Sequence, residues 1–321
     1  MSELGLGCAR LGSITAGAGW RESVRLVQHA VDRGVTYFDT ADAYGAGTSE
    51  RVLGQALRGR SHELTLATKG GYRFDERSIV ETRARLAVGG VLRRVRPGGG
   101  PQGALGGVGR AYDAQDFSPA YLTSALDASL RRLGTDHVDV YQLHGPRGAD
   151  PDAVGEWSER MVSAGKIGRL GVGAETLDQA REWSSHRAVS TIQLPYGILD
   201  PEASGVIAEA HAAGRTVVAR GVLGAGLLTD PDHPGRGSEN AAKAAIADAI
   251  RALASARRLP VERLALWFVA RRADVGTVVV GAGSRRHVDE LAAAIASPVA
   301  DEVMAGVDEI VARQTVTGSA G

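Results

Sequence analysis

The feature that most constrains this chain is a rhythm. Short β-branched or apolar runs alternate with amphipathic stretches along most of its 321 residues. Eight runs read as strands: Leu4–Gly7, Thr36–Asp39, Leu64–Lys69, His137–Leu143, Arg169–Gly173, Thr191–Gln193, Thr216–Arg220 and Thr277–Val280. A candidate helix follows each one: Glu22–Arg33, Ser49–Leu57, Pro119–Leu133, Pro151–Ala164, Leu177–Ser184, Glu202–Ala213, Glu239–Arg257 and Arg286–Ala296. Such alternation is the pattern of βα units around a parallel sheet. Eight units predict one closed (β/α)8 TIM barrel, a single α/β domain over residues 1–321. A doubly wound sheet would show a Gly-rich fingerprint after its first strand. Here Gly5-Leu6-Gly7 runs into Cys8-Ala9-Arg10-Leu11 instead.

Local signals support the element boundaries. Ser118 is placed to cap a helix, Pro119 suits its first turn, and Leu122, Leu126 and Leu130 recur at helical spacing before Gly134. Gly34, Gly165 and Gly214 punctuate other helix ends in the same way. The tail Thr315–Gly321 reads as frayed. Between the third strand and the third helix lies a connection, residues 70–118, far longer than the usual two to six residues. Its Gly/Pro/Arg-rich centre, Arg93 to Pro101, is unsuited to pack by itself.

Composition removes several function classes. Lys plus Arg equals Asp plus Glu at 37 each, so no global field draws the chain to nucleic acid or an acidic membrane. No apolar run approaches the roughly 20 residues that span a bilayer, and the start Met1-Ser2-Glu3-Leu4-Gly5 lacks the features of a signal peptide; a cytoplasmic location is expected. The eight histidines show no H-x-x-x-H or H-x-H spacing, so no metal is expected. The single cysteine, Cys8, sits in an apolar run and reads as a buried small residue. Partners are then small molecules, with monomer and homo-oligomer both open.

In a barrel of this kind chemistry sits where the strands end on the C-terminal face. Three successive strand ends carry polar residues: Phe38-Asp39-Thr40-Ala41-Asp42-Ala43-Tyr44-Gly45, Ala67-Thr68-Lys69 and Tyr141-Gln142-Leu143-His144-Gly145-Pro146. Asp39, Tyr44, Lys69 and His144 would bring a carboxylate, a phenol, an ammonium and an imidazole to one mouth. A phenol is a poor acid at neutral pH, and a neighbouring ammonium brings it toward a working range if a carboxylate holds that ammonium in place. An imidazole could then polarise a substrate carbonyl. Singly, each has a plainer reading: a cap, a turn-packing ring, a solvated amine, a loop imidazole. Jointly they point to chemistry, the more so because Lys69, Lys166 and Lys243 are the only lysines among the basic residues, and a planar guanidinium is a poor substitute for a compact ammonium.

These segments, with Leu6-Gly7-Cys8, Leu130-Arg131-Arg132-Leu133-Gly134, Gly168–Gly173, Gln193, Leu223-Gly224-Ala225-Gly226-Leu227 and Val280-Gly281-Ala282, resemble the aldo-keto reductase family over nearly the whole chain. The enlarged connection after strand three is similar to that of its sugar-dehydrogenase-like branches. The resemblance implies an NADP(H)-dependent oxidoreductase interconverting a carbonyl and an alcohol, with Asp39, Tyr44, Lys69 and His144 as the catalytic tetrad and Tyr44 handling the proton. It also implies an extended cofactor site: Gly7, Cys8 and Asp39 near the nicotinamide ribose, Gln193 on the carboxamide, Gly173, Arg220, Gly221, Leu223 and Gly226 along the mouth, and Gly281, Ser284, Arg285, His287 and Glu290 at the adenosine end.

Three positions depart from the family pattern. Gly173-Ala174 stands for a Ser-Asn pair on the carboxamide, Arg220 for a ring stacked on the nicotinamide, and Gly281 and His287 for basic residues on the 2′-phosphate. Ser284, Arg285 and Arg286 open the last helix, whose amides favour an anion, so NADP(H) is expected over NAD(H). The arginines of the long connection, Arg77, Arg83, Arg85, Arg93, Arg94 and Arg96, suit an acidic or phosphorylated substrate or else a solvated lid. Trp20, Tyr72, Phe74 and Tyr112 are candidate pocket aromatics. Two other readings stand beside catalysis: a nicotinamide-binding regulatory subunit with little turnover, and a non-redox barrel enzyme reusing the tetrad.

Overall fold

The structure, a computed structural model, describes residues 2–11, 19–60, 63–73, 114–235, 237 and 240–318. Its elements run β1 (Glu3–Gly7), α1 (Trp20–Asp32), β2 (Tyr37–Asp39), α2 (Thr48–Ala56), β3 (Thr65–Gly70), α3 (Pro119–Leu133), β4 (Val138–His144), α4 (Pro151–Ser163), β5 (Ile167–Gly173), α5 (Leu177–Ser184), β6 (Val189–Pro195), α6 (Ser204–Ala212), β7 (Thr216–Arg220), α7 (Ala241–Ala256), α8 (Val261–Ala270), β8 (Thr277–Gly281), α9 (Arg285–Ile295) and α10 (Asp301–Gly318). All eight strands are parallel and pair in chain order, and β1 pairs with β8 to close the barrel. No helix among the described residues is long and apolar enough to cross a membrane.

The expected (β/α)8 barrel is the observed one, with local differences. Helix α3 keeps its expected bounds, because the Ser118 hydroxyl accepts from the Tyr121 amide at 3.3 Å and Gly134 ends it at φ 69°. Two helices have no counterpart in the sequence reading. Helix α8 buries Leu264, Ala265, Leu266, Phe268, Val269 and Ala270, so it is apolar on most of its circumference and carries no clean amphipathic stripe. It packs against β8 and against α7, α9 and α10. Helix α10 packs on α7 and α8, and its backbone continues to Gly318, past the point where a frayed tail was expected.

Strand alternation puts the functional residues inside. Tyr37, Ala67, Val140, Val218 and Val279 form one cluster within the barrel. Side chains of period two face the same way, so Asp39, Lys69, Gln142, His144 and Arg220, each two or four residues further on, also point inward at the C-terminal ends. A methyl group placed on Gly171 would meet Gln142, Val140 and Thr191, and one on Gly173 would meet the Lys69 stem and Gln193. The same inner face therefore continues from the apolar layer to the mouth. The main hydrophobic core lies between the barrel and its helices, with Phe38, Leu53, Leu122, Tyr141, Trp157 and Trp183 among its buried members.

Candidate active site

The Asp39 carboxylate at the end of β2 organises the floor of the mouth. Lys69 Nζ donates to Asp39 Oδ1 at 2.7 Å, to Oδ2 at 2.6 Å and to the Thr40 carbonyl at 3.0 Å. Gln142 Nε2 and Gln193 Nε2 donate to Oδ1 at 3.1 and 2.9 Å. With Asp39 at 4% and Lys69 at 2% exposure, this is a buried pair, affordable only because each ion is so fully hydrogen-bonded. Burial alone would push the Lys69 pKa down; the Asp39 carboxylate and its hydrogen bond, with Tyr44, outweigh it, and the net shift is upward. The ammonium is thus held charged and stationary.

Tyr44 rides on the turn between β2 and α2, where its amide donates to Ala41 and its carbonyl accepts from Ser49. Lys69 Nζ lies 5.3 Å from the centre of its ring. The His144 ring meets Tyr44 edge-on at 5.8 Å and Tyr72 edge-on at 4.9 Å. Burial, and then the charges of Lys69 and Arg220, bring the His144 pKa down to about 3, so the imidazole is neutral at ordinary pH. Its Nδ1 is buried without a hydrogen-bond partner among the described residues. The four residues expected to converge do converge.

Behind the Tyr44 turn lies a polar layer that the sequence reading missed. Glu50, fully buried on α2, accepts from the Thr68 hydroxyl at 2.7 Å and from Arg132 Nε at 2.6 Å. Asp42 is 1% exposed, and burial followed by the nearby Glu50 raises its pKa well above the carboxylate range. Arg132 comes from α3, so nothing in sequence spacing connects it to this turn. Gln142 was more accessible to reasoning: it stands two residues before His144 and must share its face.

The stems of the 70–118 connection meet at the same place. Tyr72 and Gln115 form an antiparallel bridge, and Gln115 Nε2 donates to the carbonyls of His144 and Gly145 at 3.0 and 2.9 Å. The Tyr72 hydroxyl donates to Glu175 at 2.7 Å, and Arg147 holds the other oxygen of that carboxylate at 2.7 Å. Gly145 is needed beneath them: it has φ 58°, and a Cβ there would lie 2.6 Å from the Glu175 side chain. Trp20, another candidate for the pocket, instead donates to Gln55 on α2 and is 40% exposed. Phe74, Tyr112 and the arginines Arg77, Arg83, Arg85, Arg93, Arg94 and Arg96 lie outside the described residues.

The residues expected to bind cofactor form the other side of the mouth. Gly7 and Gly281 are register partners; the nearest atom to a Cβ on Gly281 would be 3.8 Å away, so the rim is open at Gly281, whereas one on Gly7 would meet Val279 at 3.2 Å. Cys8 is buried, with its thiol on the Leu6 carbonyl at 3.4 Å and its amide on that of Asp39. Arg220 reaches past the end of β6 and donates to the Ala174 carbonyl at 2.8 Å. Gly221, Leu223 and Gly226 follow on the turns after β7, where Gly221 and Gly226 have positive φ. At α9, Ser284 caps the helix by accepting from the His287 amide, Arg285 pairs with Glu22 at 3.1 Å, and Arg286 pairs with Glu290 at 2.8 Å.

This half fits a nicotinamide dinucleotide. Gln193 Oε1 is buried without a partner among the described residues and would accept from a carboxamide. Gly281 leaves room for a close approach, and the opening turn of α9 with its arginines suits a phosphate. One expectation is modified: the Gln193 amide nitrogen is already given to Asp39, which leaves only its oxygen for the carboxamide.

Known proteins bear on the same point. The YqkF protein of Bacillus subtilis, an uncharacterized oxidoreductase, is 30% identical over 233 residues, which are 72% of this chain and 63% of that protein. The Schizosaccharomyces pombe aldo-keto reductase yakc [NADP(+)] is 28% identical over 70% of this chain and 59% of its own length. The matched part of the chain thus spans less than two thirds of either relative. The holo form of aldo-keto reductase AKR11C1 from Bacillus halodurans superposes with a TM-score of 0.75 at 28% identity, covering 96% of this chain and 91% of that one. The model of the Aldo/keto reductase family matches residues 3–312, and with the barrel and its mouth described above the chain belongs to that family.

Proposed function

We propose that this chain is an NADP(H)-dependent oxidoreductase that interconverts a carbonyl (aldehyde, ketone or sugar) and an alcohol, with Tyr44 as general acid and base, acting in the cytoplasm on small molecules. The observation that carries the reading is the buried Lys69 ammonium, pinned by Asp39 and set 5.3 Å from the Tyr44 ring beside a neutral His144. Similarity to the oxidoreductase YqkF and to the aldo-keto reductase yakc [NADP(+)] supports it.

When bound, the cofactor supplies or takes up hydride. The chain's own residues do the rest. Gln193 Oε1, the glycine rim at Gly7 and Gly281 and the opening turn of α9 would hold the dinucleotide; Ser284 and Arg285 favour the 2′-phosphate, and with it NADP(H) over NAD(H). His144, uncharged, donates a hydrogen bond to the carbonyl oxygen and polarises it. Tyr44 O–H delivers the proton to that oxygen, and the fixed Lys69 charge stabilises the phenolate that remains. Asp39 keeps Lys69 charged and in place. The stems of the 70–118 connection lie against His144 and Gly145, which supports a substrate-side role for that loop within a single barrel domain.

Assembly of the whole tetrad favours turnover over a purely regulatory barrel. Fluorescence titration with NADPH and NADH, followed by a carbonyl and sugar panel read at the NADPH absorbance, tests the reading. NADPH binding with turnover is expected. Binding without turnover across the panel would favour a regulatory subunit, and absence of binding a non-redox enzyme.

A further inference from the structure

The charged groups around the mouth cancel, with one exception. Lys69 is neutralised by Asp39, Arg147 by Glu175, Arg132 by Glu50, and Arg73 lies 3.9 Å from Asp116. Burial raises the Asp42 pKa well above the carboxylate range and lowers that of His144 to about 3, so His144 is neutral. Among the described residues Arg220 has no carboxylate within ion-pair distance, and its one partner is the neutral Ala174 carbonyl. That bond uses a single donor of a planar fork that has five. Arg220 ends β7 on the inner face, two residues beyond Val218 of the barrel cluster. Its charge is felt by both Lys69 and His144. Of the two strands between it and His144, β5 contributes no bulk there, since Gly173, the register partner of both His144 and Gln193, has no side chain; β6 contributes Gln193 and Pro195, the register partner of Arg220.

A partly buried guanidinium with an unmatched charge and free donors is built to meet an anion, and a planar carboxylate is the group whose geometry matches its fork. We propose that Arg220 anchors a carboxylate carried by the substrate, so that this site acts on oxo acids in preference to neutral carbonyl compounds. The inference rests on the oxidoreductase reading above. In the reduction, hydride from the reduced cofactor adds to the carbonyl carbon and the Tyr44 proton to its oxygen. The product is a hydroxy acid, and the carboxylate on Arg220 is unchanged.

The test compares phenylglyoxylate with its methyl ester, both assayed with NADPH, in the wild type, Arg220→Gln and Arg220→Lys. The readout is the acid-to-ester ratio of kcat/KM, which cancels any effect of the variant on shared steps. A charge-assisted hydrogen bond predicts a fall in that ratio of roughly ten- to a hundredfold in Arg220→Gln and a smaller one in Arg220→Lys. Oxamate, a carboxylate that is not reduced, should raise the thermal midpoint of the NADPH-loaded wild type and not that of Arg220→Gln. An unchanged ratio with turnover intact overturns the inference alone. A weakened NADPH affinity with an unchanged ratio does so too, and assigns Arg220 to the cofactor phosphates. Failure of the wild type to oxidise NADPH with either compound or with any member of the carbonyl panel removes the oxidoreductase reading, and the inference with it.

Discussion

The two halves of the barrel mouth are built on opposite plans. At the ends of β2 and β3 the charged groups are committed within the protein: Asp39 accepts from Lys69, Gln142 and Gln193, and Lys69 donates to both Asp39 oxygens and to the Thr40 carbonyl. At the ends of β5 to β8 and the start of α9 the chain offers glycines, a Gln193 oxygen without a partner and an Arg220 without a carboxylate among the described residues, and arginines in exposed ion pairs. The first half is preorganised, as catalysis by fixed charges requires. The second is left incomplete, as a surface must be if a ligand is to supply the missing partners. Substitutions in the first half should therefore strike kcat, and those in the second half affinity.

The largest effect expected is on Tyr44. Tyr44→Phe should lower kcat by about a thousandfold or more while NADPH affinity moves by less than about tenfold, because in the proposed mechanism the phenol serves the transition state. Steady-state kinetics beside fluorescence titration would show it, and near-wild-type turnover would remove Tyr44 from its role. Lys69→Arg should cost a comparable factor although the charge is kept: the larger fork cannot occupy a site with 2% exposure while keeping the Asp39 contacts. A fully active arginine variant would refute the compact-ammonium argument.

A smaller effect should separate the halves by pH. The folded pKa of His144, about 3, lies below the roughly 6.5 of an unfolded histidine, so as pH falls between those values the unfolded state takes up a proton that the native state refuses, and stability is lost. His144→Gln should consequently lose less thermal midpoint than the wild type between pH 6.5 and pH 4; parallel curves would place His144 in a more hydrated setting than its neighbours suggest. The smallest effect belongs to α9. Arg285→Ala should weaken NADPH binding by only about two- to tenfold, more at low salt, since Arg285 is exposed and already shares its charge with Glu22. Glu22→Gln should tighten binding by a similar or lesser factor, and a change in kcat from either variant would blur the division between the halves.

Much of this was legible in the chain. The eightfold alternation dictated a parallel barrel because a strand run, an amphipathic helix and the next strand run leave few other ways to bury both faces. Period two then carried Asp39, Lys69 and His144 to one rim. Helix α8 was not legible, because a helix buried on most sides shows no periodic contrast, and α10 declared itself only by packing on α7 and α8.

The sequence by itself determined the architecture and the chemical groups at the strand ends, since both follow from local periodicity and residue type. Only the tertiary structure decided how those groups are spent. Arg132 reaches Glu50 from another helix, Gln193 turns its amide nitrogen to Asp39, and Arg220 bonds Ala174 rather than a carboxylate. The physical reason is that a polar group's role depends on which partners lie within about 3 Å of it, and those partners come from strands and helices far apart in the chain.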